Sequence, residues 1–206
     1  MNNINNNSDF ERRIYMDVIN AIKTRRSIGK VKDESIPKEL IEQIIEAAVY
    51  APNRYITQPW RFFVISGDGR KALSKVMEEI AVQSGIDVQT EQGRAKLEKE
   101  KNKPFRAPVI VAVAAEVTED GKVIRLEELG AVYAAIENML LTAHSLGVAS
   151  YWKTGKACYH PKMKEFFGLK QKDEILAFVY LGYADMEKKM ATRKPAAELT
   201  KWITSE

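Results

Sequence analysis

The chain has 206 residues, enough for one domain with a sizeable core, and its composition of 45% hydrophobic and 29% charged residues is ordinary for a globular protein. The formal net charge of +4 is too small to indicate nucleic-acid binding, and no Lys/Arg-rich block is interleaved with aromatic residues. One cysteine, Cys158, excludes an internal disulfide, and every apolar run is shorter than the ~20 residues of a membrane span. We therefore expect a cytoplasmic protein that binds neither nucleic acid nor a membrane.

The sequence contains no internal repeat and no linker that would divide it into separate domains. Residues 1–8 are Asn-rich and lack the basic and apolar regions of a signal peptide, so we expect a disordered leader there. The folded domain is expected to occupy residues 9–206. A single domain after a short leader is the organisation that these features favour.

Apolar residues at helical spacing predict most of the helices. Such patterns cover residues 9–24, 35–50, 73–80, 126–146 and 160–167. Ser35, two residues before Pro37, is expected to cap the second helix, and Gly147 is expected to end the long fourth one. Residues 87–103 are highly charged and are expected to form a solvated helix that flanks or covers another part of the molecule.

Strand-like stretches lie between these helices, at residues 61–66, 108–115, 148–152 and 175–181. Residues 108–115 and 175–181 are continuous apolar runs, which are typical of central strands covered on both faces. Two or three central strands between long helices indicate a layered α/β or α+β domain. The remainder, residues 182–206, is a polar arm that carries the apolar pair Trp202 and Ile203. A tail of this kind usually docks on a surface, and in a homodimer often on the neighbouring subunit.

Several motif-like patterns have a simpler structural explanation. Residues 67–72 fit the loose G-x-G-x-x-A dinucleotide fingerprint, but the residues before Asp87 form no second buried strand, so a turn before a helix is favoured. His144, His160 and the lone cysteine lack metal-ligand spacing, so no zinc site is expected. The sequence offers no Gly-x-Ser-x-Gly elbow and no Ser/His/Asp set. We therefore nominate no catalytic side chain.

Three basic clusters and one amide-bearing loop lie where predicted elements end. Arg25, Arg26 and Ser27 form a potential anion clamp at the end of the first helix, because guanidinium groups grip phosphate oxygens bidentately. The other three are the loop at residues 51–60, the turn Lys153-Thr154-Gly155 and the pair Arg193-Lys194. Each cluster alone is compatible with a solvated surface. Taken together, they indicate one anionic ligand on which they converge.

On these residues the chain resembles the FMN-dependent nitroreductases of bacteria, in particular their short single-domain members. The resemblance covers nearly the whole chain after the leader. Its segments are residues 25–27, 51–53, 58–62, 103–110, 147, 152–155 and 181–183. The Arg-Arg-Ser segment followed by the Gln-Pro-Trp-x-Phe segment is the most specific part.

The resemblance implies an α+β fold with a mixed central sheet flanked by helices, in an intertwined homodimer with a C-terminal arm over the partner. Two FMN molecules would lie in the interface. Arg25, Arg26 and Ser27 would hold the phosphate, the ribityl chain and part of the ring edge. The loop at residues 52–54 would come from the other subunit. The 153–155 turn would lie beside the isoalloxazine, and the arm would close on the phosphate. The implied cofactor-binding residues are Arg25, Arg26, Ser27, Lys30, Pro52, Asn53, Arg54, Gln58, Lys153, Thr154, Gly155, Arg193 and Lys194.

One position departs from the family pattern. Many members have a basic residue two positions after the serine, where this chain has Gly29. Lys30 follows and is the candidate to replace it. A cation near N1 and the C2 carbonyl of the flavin would favour its reduced form, and Arg25, Lys30 and Lys153 are the candidates.

The implied activity is hydride transfer from NAD(P)H through bound FMN to a nitroaromatic, a quinone or a similar electron-poor acceptor. Two alternatives remain at this point. One is a specialised flavoenzyme on the same scaffold, such as a dehalogenase or a dehydrogenase, for which residues 87–103 are the place to look for a lid. The other is a non-catalytic flavin-binding protein, which the loss of a cation at Gly29 would favour. The acceptor and the choice between NADH and NADPH stay open.

Overall fold

The computed structural model describes residues 16–204. The expected leader, residues 1–8, lies outside the described residues, as does most of the sequence before the first helix. The helices are α1 (Val18–Thr24), α2 (Lys38–Ala48), α3 (Gly69–Gln83), α4 (Glu91–Lys101), α5 (Arg125–Ser145) and α6 (Pro161–Phe166). The strands are β1 (Trp60–Ser66), β2 (Val109–Ala115), β3 (Ala149–Lys153) and β4 (Glu174–Gly182). Helices therefore outweigh strands, and the α+β class expected from the sequence is confirmed.

The four strands form one sheet in the order β1-β2-β4-β3, and all three pairings are antiparallel. Within residues 16–204, parallel pairing is confined to an isolated bridge between Ser27 and Ser150. The expectation of a mixed sheet is therefore wrong for the described part of one protomer. The physical reason is that strands covered on both faces are apolar throughout, whichever direction they run, so their composition did not reveal their direction.

The core consists of two apolar layers, one on each face of the sheet. Successive side chains of β2 point to opposite faces. Val111 and Val113 pack with α2 and α5, whereas Ile110 packs with α3 and α6. Helix α5 turns a wide buried face toward the sheet, formed by Glu128, Ala131, Val132, Ala135, Ile136, Met139, Leu140 and Ala143. Because β2 and β4 are buried on both sides, they fix the frame on which β3 and its flanking segments are held.

The helix ends show which local signals were sufficient. Gly147 has φ +75°, a conformation that glycine adopts without strain, and it ends α5 as expected. Helix α1 starts at Val18 because the side chain of Asp17 accepts a hydrogen bond from the Asn20 N–H at 3.0 Å. The predicted Ser35 cap is wrong, since Pro37 occupies the cap position of α2 and makes no side-chain cap. The fixed φ of a proline favours that early position.

After β4 the chain continues as an arm whose only regular element, among the residues described, is the 3-10 turn Ala196–Leu199. Three apolar side chains near its end are largely exposed: Leu199 at 72%, Trp202 at 83% and Ile203 at 91%. No described helix combines the length and apolarity needed to cross a membrane.

Candidate functional site

The Arg25-Arg26-Ser27 segment lies along the edge strand β3. Helix α1 ends at Thr24, and the N–H of Arg25 still donates to Ala21 O at 2.9 Å. The N–H of Ile28 then donates to Ser150 O at 3.0 Å. Helix α1 therefore ends at the basic segment, as the sequence predicted, and the fold places that segment along the edge strand β3.

The first cavity, which we call the Lys153 pocket, has a volume of about 290 Å³ and lies on the α3 side of the sheet. Its polar wall includes Lys103 and the 153–155 turn, and its apolar wall includes Met77 and Phe178. A ring with a polar edge matches this division of the walls. The structure thus brings Lys153, Thr154 and Gly155 together at one opening.

Three lysines, Lys103, Lys153 and Lys156, line this pocket with one acid among the described lining residues, Glu100, so its lining has an excess of positive charge. The Nζ of Lys153 lies 4.6 Å from the centroid of the Tyr151 ring and 5.5 Å from that of Tyr180. Burial lowers the pKa of Lys153, and the nearby charges of Arg106 and Lys103 lower it further. The resulting positive field favours a ligand that carries or acquires negative charge there.

The second cavity, the Arg26 pocket, has a volume of about 280 Å³. Arg26 and Lys188 contribute its positive charge, and none of the lining residues in the described part of the chain is a carboxylate. The Nη1 of Arg26 donates to Lys23 O at 2.8 Å, but its Nε is buried and has no hydrogen-bond partner among residues 16–204. An unpaired buried donor is costly unless a ligand satisfies it, so this donor set fits an oxyanion.

His144 adds a neutral polar group to the same cavity. Its Nε2 lies 2.8 Å from Oγ1 of Thr24, which itself donates to Asn20 O at 2.6 Å. The imidazole N–H therefore donates to the threonine. Burial lowers the pKa of His144, and the charges of Arg25 and Arg26 lower it further, so the neutral ring is favoured.

Two of the three candidates for the cation near the flavin N1, Arg25 and Lys30, have carboxylate partners within the protomer. The Nε of Arg25 lies 3.7 Å from Oε1 of Glu137, and the Nζ of Lys30 lies 2.6 Å from Oδ2 of Asp185. Lys30 is exposed and lines neither pocket. A contact of Lys30 with the flavin, in place of a cation at Gly29, remains a prediction.

The predicted loop, residues 52–58, lies at the start of α5 and away from both pockets. The Oδ1 of Asn53 accepts a hydrogen bond from the Gln58 N–H at 2.6 Å and holds the loop in shape. Nη1 of Arg54 lies 2.8 Å from Oε1 of Glu127. Pro52, Arg193 and Lys194 likewise line neither pocket, and both arm residues are exposed. Contacts of these residues with a second protomer remain a prediction.

The fold places five charged residues beside these cavities that the sequence did not nominate: Glu100, Lys103, Arg106, Lys156 and Lys188. Lys103 forms a short ion pair with Glu100 while lining the Lys153 pocket, and Nζ of Lys188 donates to Ser27 O at 2.7 Å. Lys103 lay within the segment 103–110 that carried the resemblance, which was the only available signal. Lys188 lies in a polar arm where nothing distinguishes it locally.

Comparison with known proteins gives consistent results. The family model "Nitroreductase family" matches residues 22–183. Two relatives carry the name "Putative NAD(P)H nitroreductase". YdjA of Escherichia coli (strain K12) is 32% identical over 180 residues, covering 87% of this chain and 95% of the relative. YfhC of Bacillus subtilis (strain 168) is 33% identical over 175 residues, covering 84% and 88%.

Two solved structures share the fold and most of the length. A nitroreductase-like family protein from Bacillus cereus has a TM-score of 0.76 and 30% identity, covering 92% of this chain and 97% of that one. A protein from Desulfovibrio desulfuricans, described as a nitroreductase in complex with FMN, has a TM-score of 0.68 and 26% identity, covering 92% and 98%.

Proposed function

Because this chain belongs to the nitroreductase family, as its sequence suggested, we propose that it is an FMN-dependent oxidoreductase that uses NAD(P)H to reduce a small electron-poor acceptor, such as a nitroaromatic or a quinone. The observation that carries the proposal is the pair of cation-lined pockets at the two ends of β3. The Arg26 pocket provides oxyanion donors, and the Lys153 pocket provides a partly apolar slot with a basic rim. A phosphorylated ring compound requires both.

The residues present fit FMN. We assign the phosphate to Arg26, Ser27 and Lys188, because the unpaired Nε of Arg26 and the absence of carboxylates in the lining favour a dianion. Arg25 lies at the same helix end and contributes a second guanidinium. The relative from Desulfovibrio desulfuricans was solved in complex with FMN, which supports FMN as the ligand.

We assign the isoalloxazine to the Lys153 pocket. The turn at residues 153–155 forms one wall, and Gly155 adds no side chain to narrow the entrance. Lys103 and Lys153 place positive charge at the rim, a role for which the sequence nominated Arg25, Lys30 and Lys153. When bound, FMN supplies a ring that accepts a hydride from the nicotinamide and passes it to the acceptor.

The chain's own residues bind and orient the flavin, and they exclude competing chemistry. Burial raises the pKa of the Tyr180 phenol to about 12, so it stays neutral beside Lys153. Burial also raises the pKa of the Cys158 thiol to about 12, so this wall residue is not a nucleophile at neutral pH. Electron transfer through a bound ring needs no protein nucleophile, consistent with the lack of a candidate in the sequence.

The proposal includes a homodimer in which the 52–58 loop and the C-terminal arm of one protomer complete the site of the other. The exposed apolar side chains of Trp202, Ile203 and, on α1, Val18, Ile19 and Ile22 support an interface of this kind. It also includes a cytoplasmic location, where the NAD(P)H that the reaction consumes is regenerated.

The test is spectroscopic. The purified protein should show flavin absorbance, lose it when NAD(P)H is added anaerobically, and recover it when a nitroaromatic or quinone follows.

Arg26→Gln should lower FMN affinity by about tenfold to a hundredfold, because a charge-assisted bond is worth about 1.5–3 kcal/mol. Lys38→Gln removes an equal charge on α2 and serves as the control. A colourless protein that ignores added FMN would refute the proposal. Bleaching without reoxidation by any acceptor would favour the non-catalytic alternative.

A further inference from the structure

A third cavity, the Arg106 groove, lies next to the Lys153 pocket and has a volume of about 320 Å³. Its lining consists of Val31, Lys32, Asp33, Arg70, Phe105, Arg106, Ala107 and Pro108. The groove and the pocket are joined by the 3-10 turn Lys103–Arg106, whose first residue lines the pocket and whose last lines the groove. The charge of Arg106 also lowers the pKa of Lys153, which places the two openings within electrostatic reach.

The groove carries an excess of two positive charges. Lys32, Arg70 and Arg106 face a single acid, Asp33. Within residues 16–204 none of these three cations forms an ion pair. A groove with two uncompensated cations and little burial suits a phosphate dianion, which guanidinium and ammonium groups bind by charge-assisted bonds.

An aromatic surface lies beside these cations. Phe105 is 45% exposed, and the guanidinium carbon of Arg70 lies 5.8 Å from its ring centroid. The Nη1 of Arg70 donates to Ala107 O at 3.1 Å, so the guanidinium is held in place. An exposed ring beside a fixed guanidinium offers a stacking surface for a purine base.

We propose that the Arg106 groove binds the phosphorylated adenosine end of NADPH, with the 2′-phosphate between Lys32 and Arg106 and the adenine against Phe105. This inference rests on the proposed function, because it places the nicotinamide against the flavin ring at the adjacent Lys153 pocket. The 2′-phosphate is the group that distinguishes NADPH from NADH. The excess of two positive charges matches this dianion, so the groove makes NADPH the preferred reductant.

Direct binding tests the groove without any turnover. Calorimetry on the purified protein should show that 2′,5′-ADP binds about tenfold or more tighter than 5′-AMP, since one charge-assisted bond is worth about 1.5–3 kcal/mol. Lys32→Gln and Arg106→Gln should each remove most of that difference, whereas the matched charge change Lys38→Gln on α2 should keep it. Equal affinities for the two nucleotides, or inorganic phosphate binding as tightly as 2′,5′-ADP, would overturn the proposal.

Kinetics separate this inference from the proposed function. In Lys32→Gln, which lies away from the Lys153 pocket, we expect the KM for NADPH to rise about tenfold while the KM for NADH and both kcat values stay the same. An equal loss with both nucleotides would place the pyrophosphate in the groove and contradict the assignment. A protein that neither NADH nor NADPH reduces would disprove the proposed function, while the calorimetric comparison would still decide the groove.

Discussion

Lys153 is the residue on which the chemistry of the proposed site depends most directly. It lies over two tyrosine rings and within reach of two further cations, which, with burial, lower its pKa below the usual 10.5. Preorganised charge at a reacting ring is worth about 10²–10³ in rate. We expect the Lys153→Gln variant to keep FMN bound through the FMN phosphate. Its bound FMN should be reduced by NAD(P)H about a hundredfold more slowly, as measured by anaerobic stopped-flow absorbance.

The pH dependence of the same residue gives a second readout. A lysine with a lowered pKa is charged below that value and loses its charge as the pH rises through it, so the reduction rate should decline at a pH below 10.5. Lys153→Arg should move the decline to higher pH, because guanidinium stays protonated. A wild-type rate that is constant up to pH 10.5, or an unchanged profile in Lys153→Arg, would show that another group controls the rate.

Cys158 gives a prediction of the opposite kind, an inert residue. It is 1% exposed, its thiol donates to Ile175 O at 3.3 Å, and burial raises its pKa from 9.0 to about 12. Iodoacetamide at pH 8 should therefore leave the native protein unmodified and alkylate it fully in guanidinium, as mass spectrometry would show. Because both states hold the proton below pH 9.0, Cys158 reduces the free energy of unfolding only as the pH rises from 9.0 toward 12. Rapid alkylation of the native protein would contradict the buried position.

At this scale the sequence predicted local groupings and missed distant ones. The 153–155 turn was nominated because its residues are contiguous, and the fold indeed places all three at one pocket. Lys188 was missed because it reaches Ser27 across 161 residues, and no local pattern encodes such a contact. Lys30 was chosen for its position after Gly29, but the sequence could not show that Asp185 would pair with it.

The secondary structure elements were predicted well where one physical signal dominated. Helix α5 was found because its apolar residues recur at helical spacing and a glycine ends it. Strands β2 and β4 were found because central strands are apolar throughout. Whether neighbouring strands run parallel or antiparallel was not predicted, since this is set by the connections between strands and not by the strands themselves. The exposed helix α4 confirms the solvated helix expected at residues 87–103.

A buried carboxylate at the start of α5 tests what holds this helix in place. Glu128 is 1% exposed and accepts hydrogen bonds from the N–H and the hydroxyl of Thr118, at 2.8 and 2.7 Å. Glu128→Ala leaves both donors without that partner, so the free energy of unfolding should fall by about 1–3 kcal/mol. Urea denaturation measures the change.

The matched control is Glu119→Ala in the same connection. The Glu119 side chain is 78% exposed and pairs with Lys172 at 3.0 Å, a type of surface ion pair that contributes about 0–1 kcal/mol. A loss for Glu128→Ala no larger than that of Glu119→Ala would show that Thr118 finds water instead and that α5 does not depend on this contact.

On the scale of the whole molecule, the single protomer leaves its arm without a complete binding surface. Trp202 and Ile203 are 83% and 91% exposed, although fully burying an apolar side chain is worth about 1.5–3 kcal/mol. Within residues 16–204 the outer edge of β1 also pairs with no other strand, because β1 ends the sheet. The sequence indicated that the arm docks but not where, since the receiving surface combines residues from distant parts of the chain.

The proposed homodimer therefore predicts that the arm carries much of the association energy. In a symmetric dimer each apolar contact occurs twice, so Trp202→Ser with Ile203→Ser should raise the dimer dissociation constant by about two orders of magnitude or more. Light scattering across a dilution series measures that shift, and flavin absorbance reports whether FMN is lost with it. Lys201→Gln changes the exposed neighbour and should leave the dimer intact.

If the unmodified protein were monomeric throughout the series, the arm would have no partner and the shared site would be wrong. If the double variant dimerised as tightly as wild type, the interface would lie elsewhere, and the exposed face of α1 would be the next surface to test.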